Sequence, residues 1–344
     1  MTSWSTVTRS TTGRVAVGLV GMFVATVAVV SAIGRIAGFG DVRTTLEGAD
    51  PRWLILCALG QTAVFTGYAG ALRRTIAAGD PDVVIGVGAS LRLALAGFAA
   101  TQVFAFGGVG GLALVYWALR RLGREPRQAT IELIGLNTAI YLVFGLMAWV
   151  GAGVAMATGS APVAMTLPWL LGMPLVLAVA TWYTAPVRIE RWTRGSRQGW
   201  RGAIGIGVAA AGWVRARLGA GRTIFAWAGL YWAGDVVSLL AALQAFGASP
   251  AIAAIVLAYA SGYLVQAVPI PLVATAGVDA ATAATLHAVG VPLDVALVAV
   301  VAHRLFAFWL PVIPGSAFAL TLTGLAPRQD NTHCNGSSAA RSSS

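Results

Sequence analysis

The residues with chemistry to offer are few, and they lie where a side chain with charge is costly. Arg304 follows His303 in "VVAHRLFAFWLPVIPG", a run that is otherwise hydrocarbon. Asp235 lies deep in the apolar stretch 223–243, Asp279 follows Gly277 in "VATAGVDAA", and Arg92 lies inside the apolar stretch 83–119. A charged side chain in the middle of a lipid bilayer costs about 2.5–3.5 kcal/mol on insertion scales, so such groups face a protein interior, pair with one another or line a substrate path. Two arrangements satisfy Arg304: a structural ion pair with Asp235 or Asp279, or a direct role in holding an anionic ligand. The glycines of "FGGVGG", Gly107, Gly108, Gly110 and Gly111, open a segment that ends at Arg120. Free N–H groups at such a helix start can cradle a phosphate. Glycines at that spacing equally let helices approach closely in lipid.

The elements that must position these residues follow from composition. The chain has 344 residues, is 58% hydrophobic and only 10% charged, with a mean hydropathy of +0.78. That is too little charge to cover the surface of a soluble protein. Apolar runs of spanning length recur, which predicts an all-α polytopic membrane protein. Six segments read as full spans: 15–33, 53–72, 131–155, 163–183, 223–243 and 295–322. The first resembles a signal peptide but is too long for one and reads as an uncleaved helix. The last carries Pro311 and Pro314 and is expected to kink or break near its middle. Two further apolar regions, 83–119 and 251–287, are interrupted by "FAFGGVGG" and "VPIPLVATAG". They read as broken-helix or re-entrant hairpins, because irregular backbone at membrane depth survives only inside protein or beside a watery cavity. Residues 203–217 read as an amphipathic helix on the inner membrane surface.

Arginine placement orients the chain. Arg73 and Arg74, Arg120 to Arg127, and Arg188 to Arg201 fall in three loops, whereas the connections 156–162 and 244–250 carry no charge. The arginine-rich loops and the N-terminus are therefore expected on the cytoplasmic side of the cell membrane. Each half then runs span, span, hairpin, span, in opposite directions. This layout predicts inverted repeats over about 15–155 and 163–325, joined by an arginine-rich linker, 186–222. Residues 1–14 form a cytoplasmic N-terminal tail, and the polar segment 326–344 is expected to be disordered. Inverted repeats with broken helices are a common transporter build, with the substrate site at their interface.

Other functions find little support. The net charge of +11 comes from 23 basic residues that are all arginine and lie in short loops, so no nucleic acid partner is expected. The run from Arg188 to Arg197 suits anionic lipid headgroups. Cys57 and Cys334 make no disulfide framework, and the three histidines are scattered, so neither a metal nor a cofactor is expected. No Ser-His-Asp layout or HExxH motif is present, and no enzymatic activity is expected.

The second half carries "WAGDVVSLLAALQAFG", "AYASGYLVQAVPIPLVATAGVDAA" and "LHAVGVPLDVALVAVVAHRLFAFWLPVIPG", and the first half carries "FGGVGGLALVYWALRRLG". Together these resemble the membrane-domain family of lysylphosphatidylglycerol synthase/flippases, over about residues 14–325. The resemblance implies a flippase-like fold, and a membrane domain that moves a phospholipid between leaflets without the soluble synthase domain. Asp235, Phe246 and Gly247 fit its span before the second hairpin. Pro269, Gly277 and Asp279 fit a Pro…Gly-rich…acid motif, and Gly290, Arg304, Trp309, Pro311 and Gly315 fit the closing segment. Ala274 and Thr275 stand where the family has a glycine pair, Asp279 where it has a glutamate, and Phe106 where a proline is common. The expected function is translocation of a phospholipid or polyprenyl-phosphate lipid, with Arg304 holding the phosphate. The alternatives are a non-transporting scaffold or regulator beside a lipid-modifying enzyme, and a secondary transporter of a small solute.

Overall fold

The computed structural model describes residues 48–83, 85–103, 109–185, 199–267 and 271–321. The predicted N-terminal tail and first span, residues 186–198 of the linker, and the polar tail lie outside the described residues. Within them all regular structure is helical. The elements are α1 (Pro51–Gly79), α2 (Val87–Val103), α3 (Val109–Arg121), α4 (Pro126–Thr158), α5 (Val163–Tyr183), α6 (Gly199–Ala220), α7 (Arg222–Ala245), α8 (Ile252–Tyr263), a 3-10 turn (Leu264–Ala267), α9 (Pro271–Ala288) and α10 (Leu293–Thr321).

Five helices, α1, α4, α5, α7 and α10, are long and apolar enough to cross a membrane. They coincide with the five predicted spans inside the described region. The starts follow ordinary capping: the Asp50 carboxylate accepts from the Arg52 N–H at 2.9 Å and Pro51 opens the first turn, while Pro126 opens α4. The last span does not break: α10 is continuous through Pro311 and Pro314, and α5 runs through Pro168 and Pro174 in the same way. Each proline removes one backbone hydrogen bond. A full break would leave several polar groups in hydrocarbon, so the helix persists.

Both interrupted regions are helix pairs. α2 has 17 residues and α8 has 12, about 25 and 18 Å at 1.5 Å per residue, short of the roughly 30 Å hydrocarbon layer. The two hairpins leave by the same device. Gly123 (φ +87°) and Gly290 (φ +97°) are left-handed. The residue after each donates its N–H five residues back, Arg124 to the Leu119 carbonyl at 3.2 Å and Val291 to the Leu286 carbonyl at 3.1 Å. Only glycine takes that backbone conformation without strain, and it ends the helix within one residue.

The packing of the two halves corresponds under their exchange. α1 lies against α7, α2 against α10, and α8 against α4. The central pair is antiparallel: the Asp50 N–H reaches the Ala245 carbonyl at 3.0 Å, Cys57 meets Ser238, Gly67 meets Tyr231 and Trp227, and Arg217 reaches the Ala78 carbonyl. A side chain at Gly60 would lie 2.7 Å from the Gly234 carbonyl oxygen, and one at Gly234 would lie 2.6 Å from that of Gly60. These backbones therefore touch, as small residues permit in lipid. Each short hairpin helix is received by a glycine on the other half's last long helix, α2 at Gly315 and α8 at Gly151. Trp232, 1% exposed, fills the centre with Phe144 at 4.2 Å and donates its indole N–H to the Ile140 carbonyl at 2.8 Å.

α6 extends the predicted 203–217 helix at both ends. Its Trp213 packs on Gly135 of α4. Arg215 and Arg217 reach the terminal carbonyls Thr184 of α5 and Ala78 of α1. The described arginines outside α2 and α10 thus gather largely at one end of the bundle, as the loop pattern requires. In a background with Cys57 and Cys334 replaced by alanine, cysteines at Ser160 and Ser249 should react with an impermeant maleimide on intact cells. A cysteine at the exposed Glu125 should react only after permeabilisation, and external labelling at 125 would contradict the inverted layout.

Candidate functional site

Asp235 and Ser238 are one helical turn apart on α7, and Cys57 and Gln61 are one turn apart on α1, so each pair shares a helix face. The contact of Gly60 with Gly234 brings those faces together. Gln61 donates from Nε2 to Asp235 Oδ1 at 2.8 Å, and the Tyr259 hydroxyl on α8 donates to Oδ2. His303 on α10 closes the group. Its Nε2 lies 3.6 Å from Asp235 Oδ1, and its Nδ1 lies 3.0 Å from Ser238 Oγ and 3.4 Å from Gln61 Nε2. Ser238 Oγ is also 3.1 Å from Cys57 Sγ. All of these residues are buried. A buried polar network of this kind is stable only because each member has a partner.

The next residue along α10 faces elsewhere. Arg304 clasps Asp279 of α9 with Nε at 3.0 Å from both carboxylate oxygens and Nη2 at 2.8 Å from Oδ1. The side chains are 35% and 24% exposed, so this pair has an open edge whereas the Asp235 group is closed. Arg304 lies at the centre of the apolar window Leu293–Gly315. Of the two acids considered for it, the structure selects Asp279 and gives Asp235 to neutral donors and His303. α10 turns about 100° per residue, so adjacent side chains cannot share one partner across the bundle.

The remaining sequence candidates are not brought to this place. Arg92 is exposed, lies only five residues from the start of α2, and sits over the Phe318 ring at 5.8 Å. Phe318 is fourteen residues beyond Arg304 on the same helix, about 21 Å along its axis. Arg92 is therefore neither deep nor near Arg304. Gly111 is buried, its N–H donates to Thr101 Oγ1 at 3.1 Å, and a side chain there would meet the Gly97 carbonyl oxygen at 2.6 Å. It closes the hairpin by packing and has no amide left for a phosphate. Gly110 is half-buried in the first turn of α3. Gly107 and Gly108 lie outside the described residues. Gly277 lies within α9, two residues before Asp279. No group of three or more metal-ligating side chains occurs among the described residues.

Sequence reasoning misses a third polar centre at the arginine-rich end. Arg124, 7% exposed, reaches Asp80 at 3.3 Å, Glu132 at 3.3 Å and the Ile76 carbonyl at 2.6 Å. Glu132 is fully buried and also accepts from Gln128 at 2.9 Å. This group fastens the end of α1 to the start of α4. The eight-residue separation of Arg124 and Glu132 was its only sequence signal, and a loop arginine ordinarily faces solvent.

The sequence profile of the lysylphosphatidylglycerol synthase TM region matches residues 15–315. The chain belongs to this family. It is a multi-pass, all-α membrane protein of the lysylphosphatidylglycerol synthase TM region family, and all three polar groups described above lie within the matched residues. No match was found among curated proteins or among solved structures.

The geometry makes a stability prediction. Arg304→Gln strands Asp279 and should destabilise the purified protein by about 1–3 kcal/mol, below the 3–5 kcal/mol typical of fully buried pairs because one edge is open. Adding Asp279→Asn should recover most of that loss, and adding Asp235→Asn should not. Thermal unfolding in detergent reads the difference, and equal rescue by both would contradict the pairing.

Proposed function

We propose that this chain binds the phosphate of a phospholipid or polyprenyl-phosphate lipid at mid-membrane and moves it between the leaflets of the cytoplasmic membrane. The observation that carries this reading is the Arg304–Asp279 clasp, partly open at the centre of an apolar span. A guanidinium binds a carboxylate or a phosphate through the same two-pronged geometry. Phosphate can therefore take over from Asp279 without leaving Arg304 unmatched at any point. α9 and α10 belong to one half of the molecule, and relative rocking of the two halves would expose the clasp to one leaflet and then the other. The chain's own residues do the work of binding and of charge matching; no bond is made or broken. The arginine pattern supports a cytoplasmic N-terminus.

A second reading, a scaffold or regulator of a lipid-modifying enzyme, is favoured by Gly111, whose amide is already taken by Thr101. The first hairpin then contributes helix packing rather than a phosphate cradle at that position. The two readings part in reconstituted vesicles carrying a fluorescent anionic phospholipid. Translocation should appear with the wild type. Arg304→Gln, studied with Asp279→Asn where folding requires it, should weaken lipid binding roughly thirtyfold, the equivalent of about 2 kcal/mol for a lost charge-assisted contact. Arg121→Gln, whose exposed side chain lies over Trp117 at 5.2 Å, serves as the control. Wild-type binding by the Arg304 variants would refute the anchor, and binding without translocation would favour the scaffold.

A further inference from the structure

Resting on the transport reading, we propose that His303 and Asp235 form a proton-binding site, and that one proton enters it each time a lipid phosphate replaces Asp279 on Arg304. The geometry comes first. Asp235 accepts hydrogen bonds from two neutral donors, the Gln61 amide and the Tyr259 hydroxyl, and the basic atom described next to it is His303 Nε2 at 3.6 Å. Its charge is thus held by dipoles but not cancelled by a cation. An acid and an imidazole in this arrangement bind one further proton, as N–H on the ring or O–H on the carboxyl. The site is enclosed, with side-chain exposures of 9% for His303 and 11% for Asp235.

The surroundings of the pair are specific. α1 contributes Cys57 and Gln61, α7 contributes Tyr231 beside Asp235, and α8 contributes Tyr259 and Tyr263. α9 contributes Asp279, and α10 itself contributes Arg304. With imidazole neutral, one guanidinium stands against two carboxylates among the described residues, a balance of one negative charge. A phosphate arriving at Arg304 adds another and sets Asp279 loose in a medium that solvates charge poorly. Uptake of one proton restores the resting charge, and His303, adjacent in sequence to Arg304, is the titratable group tied to the same helix turn. When the lipid leaves and Asp279 returns to Arg304, the proton leaves to water on that side. Phosphate and proton then travel in the same direction, and a proton gradient supplies the driving force.

The test uses the purified full chain in detergent with dioleoylphosphatidylglycerol as the probe. Calorimetric titration in buffers of different ionisation enthalpy counts protons taken up per lipid bound. The wild type should take up about one proton, and its affinity should rise about tenfold per unit fall in pH on the alkaline side of the midpoint, as linkage requires. The double variant Asp235→Asn/His303→Gln should bind the lipid with less than a threefold change between pH 5.5 and 8 and take up none. His303→Gln alone should move the pH midpoint by at least one unit. Proton uptake that persists in the double variant puts the proton elsewhere, Asp279 foremost, and overturns the proposal, as does an unmoved midpoint in His303→Gln. Lipid binding without proton uptake by the wild type overturns this proposal and leaves the transport reading standing, whereas no lipid binding at any pH defeats both. The wild-type count requires no variant, so it decides the matter even if the substitutions impair folding.

Discussion

Hydrocarbon does not solvate charge, and a guanidinium at the centre of an apolar span obliges the fold to deliver a carboxylate to it. Arg304 sits at that centre, and Asp279 arrives on α9, an 18-residue helix that is not one of the five candidate spans. The second hairpin supplies that acid, while the full span α7 carries Asp235 and hands it to neutral donors. His303 shares the turn with Arg304 and commits the adjacent face of α10 to the Asp235 group. Two polar centres, one closed and one open at its edge, thus occupy adjacent faces of one helix.

What holds α10 and α7 close enough for this is packing rather than a hydrophobic driving force, since lipid tails are as apolar as leucine. Gly60 and Gly234 let α1 and α7 touch backbone to backbone, and the contact falls one residue from Gln61 and Asp235. Gly151 and Gly315 receive the two short hairpin helices in corresponding places. Trp232, Phe144, Tyr259 and Tyr263 stack in the middle of the bundle. At the arginine-rich end, Arg124 and the fully buried Glu132 tie α1 to α4. The clasp on Arg304 is therefore an exchangeable contact inside a frame that is fixed elsewhere.

Much of this was legible in the sequence for a physical reason. Spans are set by bilayer thickness, so hydropathy finds the five that the structure describes. That Arg304 needed an acid was also legible. Which acid was not, because Asp235 and Asp279 lie at similar depth and only the rotation of α10 separates them. Gln61 and Tyr259 escaped notice, since a single neutral polar residue in a span costs little and resembles its neighbours. The apolar flanks of Arg92 hide the start of α2 at Val87, so its shallow position is not legible in the sequence. The prolines of α10 misled for the opposite reason, since a rule learned in water overstates the break where no solvent can take up the freed backbone groups.

The central claim is that Arg304 exchanges Asp279 for a lipid phosphate, and a cryo-electron microscopy structure in nanodiscs of an anionic phospholipid tests it most directly. The account predicts, in at least one class of particles, a headgroup phosphate within hydrogen-bond reach of the Arg304 guanidinium and Asp279 moved beyond about 3.5 Å from it. An Arg304–Asp279 clasp intact in every class, with lipid phosphates confined to the two membrane surfaces, would contradict it.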